Sequence, residues 1–143
     1  MEKPLFSVII PALNEERFLP SLLETLRTQD MKSFEVIVVD GESTDSTVAE
    51  AKKFARKLPR LRIITAHPRG LPRQRNLGAA AARGTWLVFS DADNLFFPYA
   101  LSRMKAFIRE KSPVFFTSWF RSDSDITSDS VVTLLSLMTI EGS

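Results

Sequence analysis

Trp86-Leu87-Val88-Phe89-Ser90-Asp91-Ala92-Asp93 is the stretch on which the fold of this chain turns. Four apolar residues run without interruption, as in a strand buried on both faces. Two carboxylates then follow, one residue apart. If the strand ends there, Asp91 and Asp93 stand at the mouth of a sheet. Such a pair suits a hard divalent cation, Mg²⁺ or Mn²⁺, held by one or two protein carboxylates and completed by water and phosphate. That is a common way to hold a nucleoside diphosphate. Asp-x-Asp alone is equally a solvated turn, so the reading depends on how the other apolar runs end.

Outward from this stretch, strand and helix signals alternate. Leu5 to Ile10 and Phe34 to Val39 read as buried strands, Leu61 to Thr65 as a third, shorter strand, and Val114 to Phe120 as a fifth. Phe18, Leu19, Leu22, Leu23 and Leu26 share one face of a helix beginning near Asn14 or Glu15. Ser43-Thr44-Asp45 offers N-cap chemistry to a helix carrying Val48, Ala51, Phe54, Ala55 and Leu58, which Pro59 stops. Arg69 to Pro72 reads as a turn, and the Ala-rich stretch Gln74 to Arg83 as a helix ending at Gly84. Pro98 opens a helix through Lys111 with Leu101, Met104, Phe107 and Ile108 inward. Arg121 to Ser130 is a polar loop. Val131, Leu134, Leu135 and Met138 then recur at helical spacing.

This order predicts an α/β fold, a mostly parallel sheet with helices on both faces. Ligands of such sheets bind beyond the carboxyl ends of the strands, where the strand order reverses. The four strand ends carry Pro11-Ala12-Leu13-Asn14-Glu15, Asp40-Gly41-Glu42, His67-Pro68-Arg69-Gly70 and Asp91-Ala92-Asp93. Polar groups therefore gather on one edge of an otherwise apolar sheet. A carboxylate such as Asp40 can accept from a nucleobase imide N–H or a ribose hydroxyl; as a bland alternative it is a turn residue. Arg69, Arg73 and Arg75 suit diphosphate oxygens or a base carbonyl. Arg73 and Arg75 are two apart and point different ways on a helix, so at most one of them reaches the site. A dinucleotide-binding fold is rejected, because it needs Gly-x-Gly-x-x-Gly after its first strand and no Gly stands there.

Composition sets bounds. The 143 residues suffice for one domain, and 44% hydrophobic with 25% charged residues is ordinary for a globular chain. A formal charge of +2 gives no support to nucleic-acid binding. With no Cys, disulfides and thiolate metal sites are excluded. No stretch approaches the ~20 apolar residues of a membrane span, and no signal peptide is evident, so a cytoplasmic setting is expected.

Taken in order, Pro11 to Glu15, Val38 to Thr47, Gln74-Arg75-Asn76-Leu77-Gly78 and Phe89 to Asp93 resemble the family 2 glycosyltransferases of the GT-A fold. The resemblance runs from about Ser7 to Tyr99. It implies inverting transfer of a sugar from a nucleotide-sugar donor, UDP before GDP, to a saccharide or lipid-linked acceptor, with Mn²⁺ or Mg²⁺. By position it implies that Pro11, Ala12 and Leu13 line the base pocket and that Glu15 lies near the ribose. Asp40 would bind the base, and Arg75 would lie beside the nucleotide. Asp91 would face the ribose or metal, Ala92 would lie against the nucleotide-sugar, and Asp93 would ligate the metal. Where the family commonly has Asp-Asp-Gly-Ser, this chain has Asp40-Gly41-Glu42-Ser43, which keeps Asp40 and alters its surroundings.

The resemblance also implies a further segment after the fifth strand, which builds the acceptor site and supplies the general base. Residues 1–143 are therefore expected to form one donor-binding domain with the acceptor half largely absent. No motif marks Asp123, Asp125 or Asp129 as that base. Val132 and Leu137 lie off the main stripe of the last helix, so that helix wants a partner: a missing half, a second subunit, or the inner face of a membrane. Two other readings stay open, a nucleotide-sugar-binding module without transferase activity and a nucleotidyltransferase. The latter would carry a Gly-rich basic loop where Asn14-Glu15-Glu16 is acidic.

Overall fold

The computed structural model describes residues 2–113. The expected fifth strand, the polar loop with its three aspartates and the Val131 to Met138 helix lie outside the described residues. The elements are β1 (Phe6–Ala12), α1 (Leu19–Arg27), β2 (Phe34–Asp40), α2 (Thr47–Lys52), β3 (Leu61–Thr65), α3 (Leu71–Ala81), β4 (Trp86–Phe89) and α4 (Ala100–Lys111). The four strands form one sheet in the order β3-β2-β1-β4. Every pairing is parallel.

Alternation along the strands divides the core into two layers. Phe6, Val8, Ile10, Val36, Val38 and Val88 turn to one face, where they meet Leu19, Leu22, Leu23 and Leu26 of α1, Ala51 of α2, and Leu101 and Met104 of α4. Ile9, Ile37, Val39 and Leu87 turn to the other, against Leu77, Ala79 and Ala81 of α3. Helices thus cover both faces, and the central strands read as unbroken apolar runs for that reason. Gly78 lets α3 lie close: a Cβ there would stand 2.3 Å from Cγ2 of Ile9.

Several boundaries differ from expectation. The first helix begins at Leu19 rather than near Asn14, because Asn14 takes a left-handed conformation (φ 53°) and Pro20 sits in the first turn. The second helix stops at Lys52, and turns carry the chain past Phe54 and Leu58, which remain buried. The third starts at Leu71 and ends before Gly84, which instead abuts β1. Phe107 is 39% exposed rather than inward. β1 runs two residues further than expected, through Pro11 and Ala12. At the two ends of the β1–β4 pairing an odd-numbered carbonyl turns toward β4: the Trp86 N–H donates to the Leu5 carbonyl and the Ser90 N–H to that of Ile9. Pro11 is next in that series but stands past the end of the β1–β4 ladder, which closes at Ile9 and Phe89. The missing N–H of Pro11 therefore costs no ladder bond.

At the bottom edge of the sheet a polar network replaces apolar packing. Glu35, 1% exposed, accepts from the Ser7 hydroxyl and the Arg83 N–H, both at 2.6 Å, and from Arg62 at 2.9 Å. Arg62 also donates to the Ala81 carbonyl, and the Gly84 N–H donates to Ser7 Oγ. The exit of α3 is thereby fixed to β1, β2 and β3.

Candidate functional site

Because β2 and β3 lie to one side of β1 and β4 to the other, the strand order reverses between β1 and β4. Beyond Ile9 and Phe89 the two strands no longer pair, and a cleft of about 600 Å³ opens there. Pro11, Ala12, Leu13 and Glu15 line it from β1. Asp91, Ala92 and Asp93 line it from β4, and Arg69, Gly70, Leu71 and Gln74 from the start of α3. Seven of the nine sequence-selected residues thus share one cavity. Asp40 and Arg75 are not among the lining residues. Arg75 stands behind the rim, with its guanidinium 3.9 Å from Asp91 and both side chains nearly half exposed.

The walls differ in charge. Glu15 is held above the ordinary carboxylate range, first by burial and then by the charges of Asp93, Asp45 and Asp91. Arg69 and the first turn of α3, whose N-terminus carries no side-chain cap, line the same cleft. Carboxylates and a cationic group in one cleft suit a cation and an anion bound together. Among the described residues, no three His, Cys, Asp or Glu side chains converge into a closed metal cage. Two carboxylates plus ligand oxygens are the usual provision for a divalent ion on a diphosphate.

Asp40, at the end of β2, is 3% exposed. Its Oδ2 accepts from the Ser43 N–H at 3.1 Å, while Oδ1 is buried with no hydrogen-bond partner. A buried carboxylate oxygen left unpaired costs free energy unless something donates to it. His67 lies outside, 80% exposed, with Nδ1 2.9 Å from Glu42.

Sequence reasoning missed how the β1 loop is held. The Asn14 N–H donates to Ser43 Oγ and the Thr44 N–H to Asn14 Oδ1, both at 2.9 Å. The Glu15 N–H donates to Thr47 Oγ1 at 2.8 Å, and Thr47 in turn bonds Asp45. Glu16 and the 45–46 segment exchange a further pair. The Ser43 to Thr47 stretch gives α2 no side-chain cap at its N-cap residue, Ser46, although Asp45 accepts the Thr47 N–H. Its larger task is to fix the backbone that carries Leu13 and Glu15. The run of Ser, Thr and Asp was the available signal, but its partners lie about 30 positions away.

The family model for glycosyl transferase family 2 matches residues 7–139. A PGL/p-HBAD biosynthesis glycosyltransferase of Mycobacterium bovis is 42% identical over 115 residues, which are 79% of this chain and 45% of that protein. The chain thus spans less than half the length of this curated relative. Among solved structures, S. aureus TarS 1-349 in complex with UDP superposes with a TM-score of 0.77 at 32% identity, over 86% of this chain and 38% of that one. The mannosyltransferase PcManGT from Pyrobaculum calidifontis, in complex with GDP-Man and Mn²⁺, gives 0.74 at 26% identity, over 85% and 37%.

Proposed function

Since the chain belongs to glycosyl transferase family 2 and has the GT-A fold, we propose that its cleft binds the nucleoside-diphosphate end of a sugar donor, UDP before GDP, for inverting transfer to a saccharide or lipid-linked acceptor. The observation that carries this reading is the convergence of Glu15, Asp91 and Asp93 with Arg69 and the α3 N-terminus in one cleft at the strand-order reversal. The relatives bound to UDP and to GDP-Man with Mn²⁺ support it. Residues 1–143 then form the donor-binding part of the enzyme.

The residues fit a divalent ion. Asp91 and Asp93 are hard oxygen donors on the cleft wall, and their charges already press on Glu15, a repulsion that a cation offsets. Asp93, with Asp91, would hold Mn²⁺ or Mg²⁺, which supplies charge neutralisation to the diphosphate leaving group. Arg69 would add positive charge within the cleft, and Arg75 beside Asp91. Pro11, Ala12 and Leu13 offer a backbone floor to the base. Asp40 Oδ1, unpaired in the protein, would accept the imide N–H of uracil or guanine.

Calorimetry tests the assignment. Unit charges 4 Å apart interact by ~4 kcal/mol at an effective dielectric of ~20. Asp93→Asn keeps the shape and removes the charge, so Mn²⁺-dependent UDP binding weakens by roughly one to three powers of ten. Equal UDP affinity in wild type and variant, with and without Mn²⁺, refutes the role of Asp93. With labelled nucleotide-sugars, sugar transfer or slow hydrolysis supports a transferase. Binding alone indicates a donor-binding module, and pyrophosphate release a nucleotidyltransferase.

A further inference from the structure

Gln74 stands out in α3. It is a polar side chain at 4% exposure, on a helix whose other inward residues are Gly78, Leu77 and alanines. Its Nε2 donates to the Val39 carbonyl at 2.9 Å and to the Ala12 carbonyl at 3.1 Å. Both amide hydrogens are therefore used to join the carboxyl ends of β1 and β2. This pairing also fixes the orientation of the amide, because a flipped group would set its oxygen against two carbonyl oxygens. Oε1 is left with no hydrogen-bond partner among the described residues, and the side chain lines the cleft.

The amide also lies against Gly41. A Cβ at that position would stand 3.0 Å from both Nε2 and Oε1. Gln74 thus holds the residues on either side of Asp40, whose Oδ1 is likewise unpaired. Of the two, only Asp40 Oδ1 is a fully enclosed acceptor without a partner among the described residues; Gln74 Oε1 belongs to a side chain that lines the cleft. An oriented acceptor that no protein donor uses is open to a donor on a ligand.

We propose that Gln74 is a specificity-determining residue of this cleft. Its Oε1 accepts a hydrogen bond from the base, from the guanine 2-amino group beside an N1–H given to Asp40 or, with uracil, by sharing the single N3–H with Asp40, while its Nε2 keeps the base-facing backbone in register. The proposal rests on the donor-site reading above and adds a residue to its base-recognition corner. Nothing in it concerns the diphosphate or the metal, so base and phosphate affinities are expected to separate.

The test measures Mn²⁺-dependent binding of UDP, GDP and inorganic pyrophosphate to wild type, Gln74→Met and Gly41→Ala by calorimetry, with thermal melting as a fold control. Methionine keeps the volume and removes both the acceptor and the donors. Alanine at 41 leaves Gln74 in place but pushes its amide from outside. Wild type is expected to bind one or both nucleotides more tightly than pyrophosphate. Each variant should lose that advantage by roughly fivefold to a hundredfold while pyrophosphate affinity stays within about twofold. A folded Gln74→Met that keeps the wild-type ratio of nucleotide to pyrophosphate affinity overturns the proposal and leaves Gln74 a strand clamp. Variants that lose nucleotide and pyrophosphate affinity together also overturn it. Wild type that binds pyrophosphate as tightly as UDP and GDP overturns base recognition in the donor-site reading itself.

Discussion

Glu35→Gln is expected to weaken the fold sharply, and by an amount that follows from its partners. Glu35 is 1% exposed, and its two oxygens accept three hydrogen bonds, from Ser7, the Arg83 N–H and Arg62. Glutamine keeps one acceptor and turns an NH₂ group toward donors on the other side. Hydrogen bonds to a charged group contribute about 1.5–3 kcal/mol each. Losing at least one, and weakening the others to neutral bonds, costs about 3–5 kcal/mol, the range for breaking a buried ion pair. That is a large part of the ~5–15 kcal/mol that holds a typical domain. At about 3–6 °C per kcal/mol for a domain of this size, Tm should fall by roughly 10–30 °C. The pH dependence follows as well. Burial alone would raise the Glu35 pKa, but the bonds from Ser7, Arg83 and Arg62 outweigh it and leave the carboxyl below its ordinary value. The unfolded chain then binds the proton more readily than the folded one. The contribution of Glu35 is complete above the unfolded pKa, about 4.3, and disappears as pH falls through the folded value. Thermal and urea melts between pH 3 and 7 check this. A variant melting within 2 °C of wild type at pH 7 refutes the reasoning. So does a parallel loss of stability by both proteins below about pH 5.

Three further outcomes are expected. Wild type should bind UDP or GDP more tightly than ADP or CDP, whose bases present an acceptor where Asp40 needs a donor, and Asp40→Ala should flatten the difference; competition calorimetry with the four diphosphates reads this directly. Glu15→Gln should raise Tm at pH 7 while weakening Mn²⁺–UDP binding. The Glu15 pKa is raised, so its contribution is full below the unfolded pKa and lost as pH rises through the folded value; if the melting gain is the same at pH 4 as at pH 7, that origin is wrong. Gly78→Ala places a Cβ 2.3 Å from Ile9, and overpacking of this kind should cost about 1–3 kcal/mol in urea unfolding; a wild-type midpoint would show that α3 moves away freely.

The sequence by itself determined the layers and the functional edge. A strand buried on both faces must be apolar at every position, so Phe34 to Val39 and Trp86 to Phe89 announce themselves locally. Their parallel arrangement follows from the intervening helices, and the residues after each strand then fall on one edge. Pro11 to Leu13, Glu15 and Asp91 to Asp93 were legible as cleft residues for that reason. The sequence could not show that Asn14 to Phe18 stays out of α1, because the N–H groups of Asn14, Glu15 and Glu16 find their acceptors in Ser43, Thr47 and Asp45. Nor could it show that Gln74 joins Ala12 to Val39, or that Asp40 keeps one oxygen buried and unpaired. Periodicity reports only which face a residue occupies. Which donor meets which acceptor depends on strand register and helix placement, and the folded chain alone brings those groups to within hydrogen-bond distance.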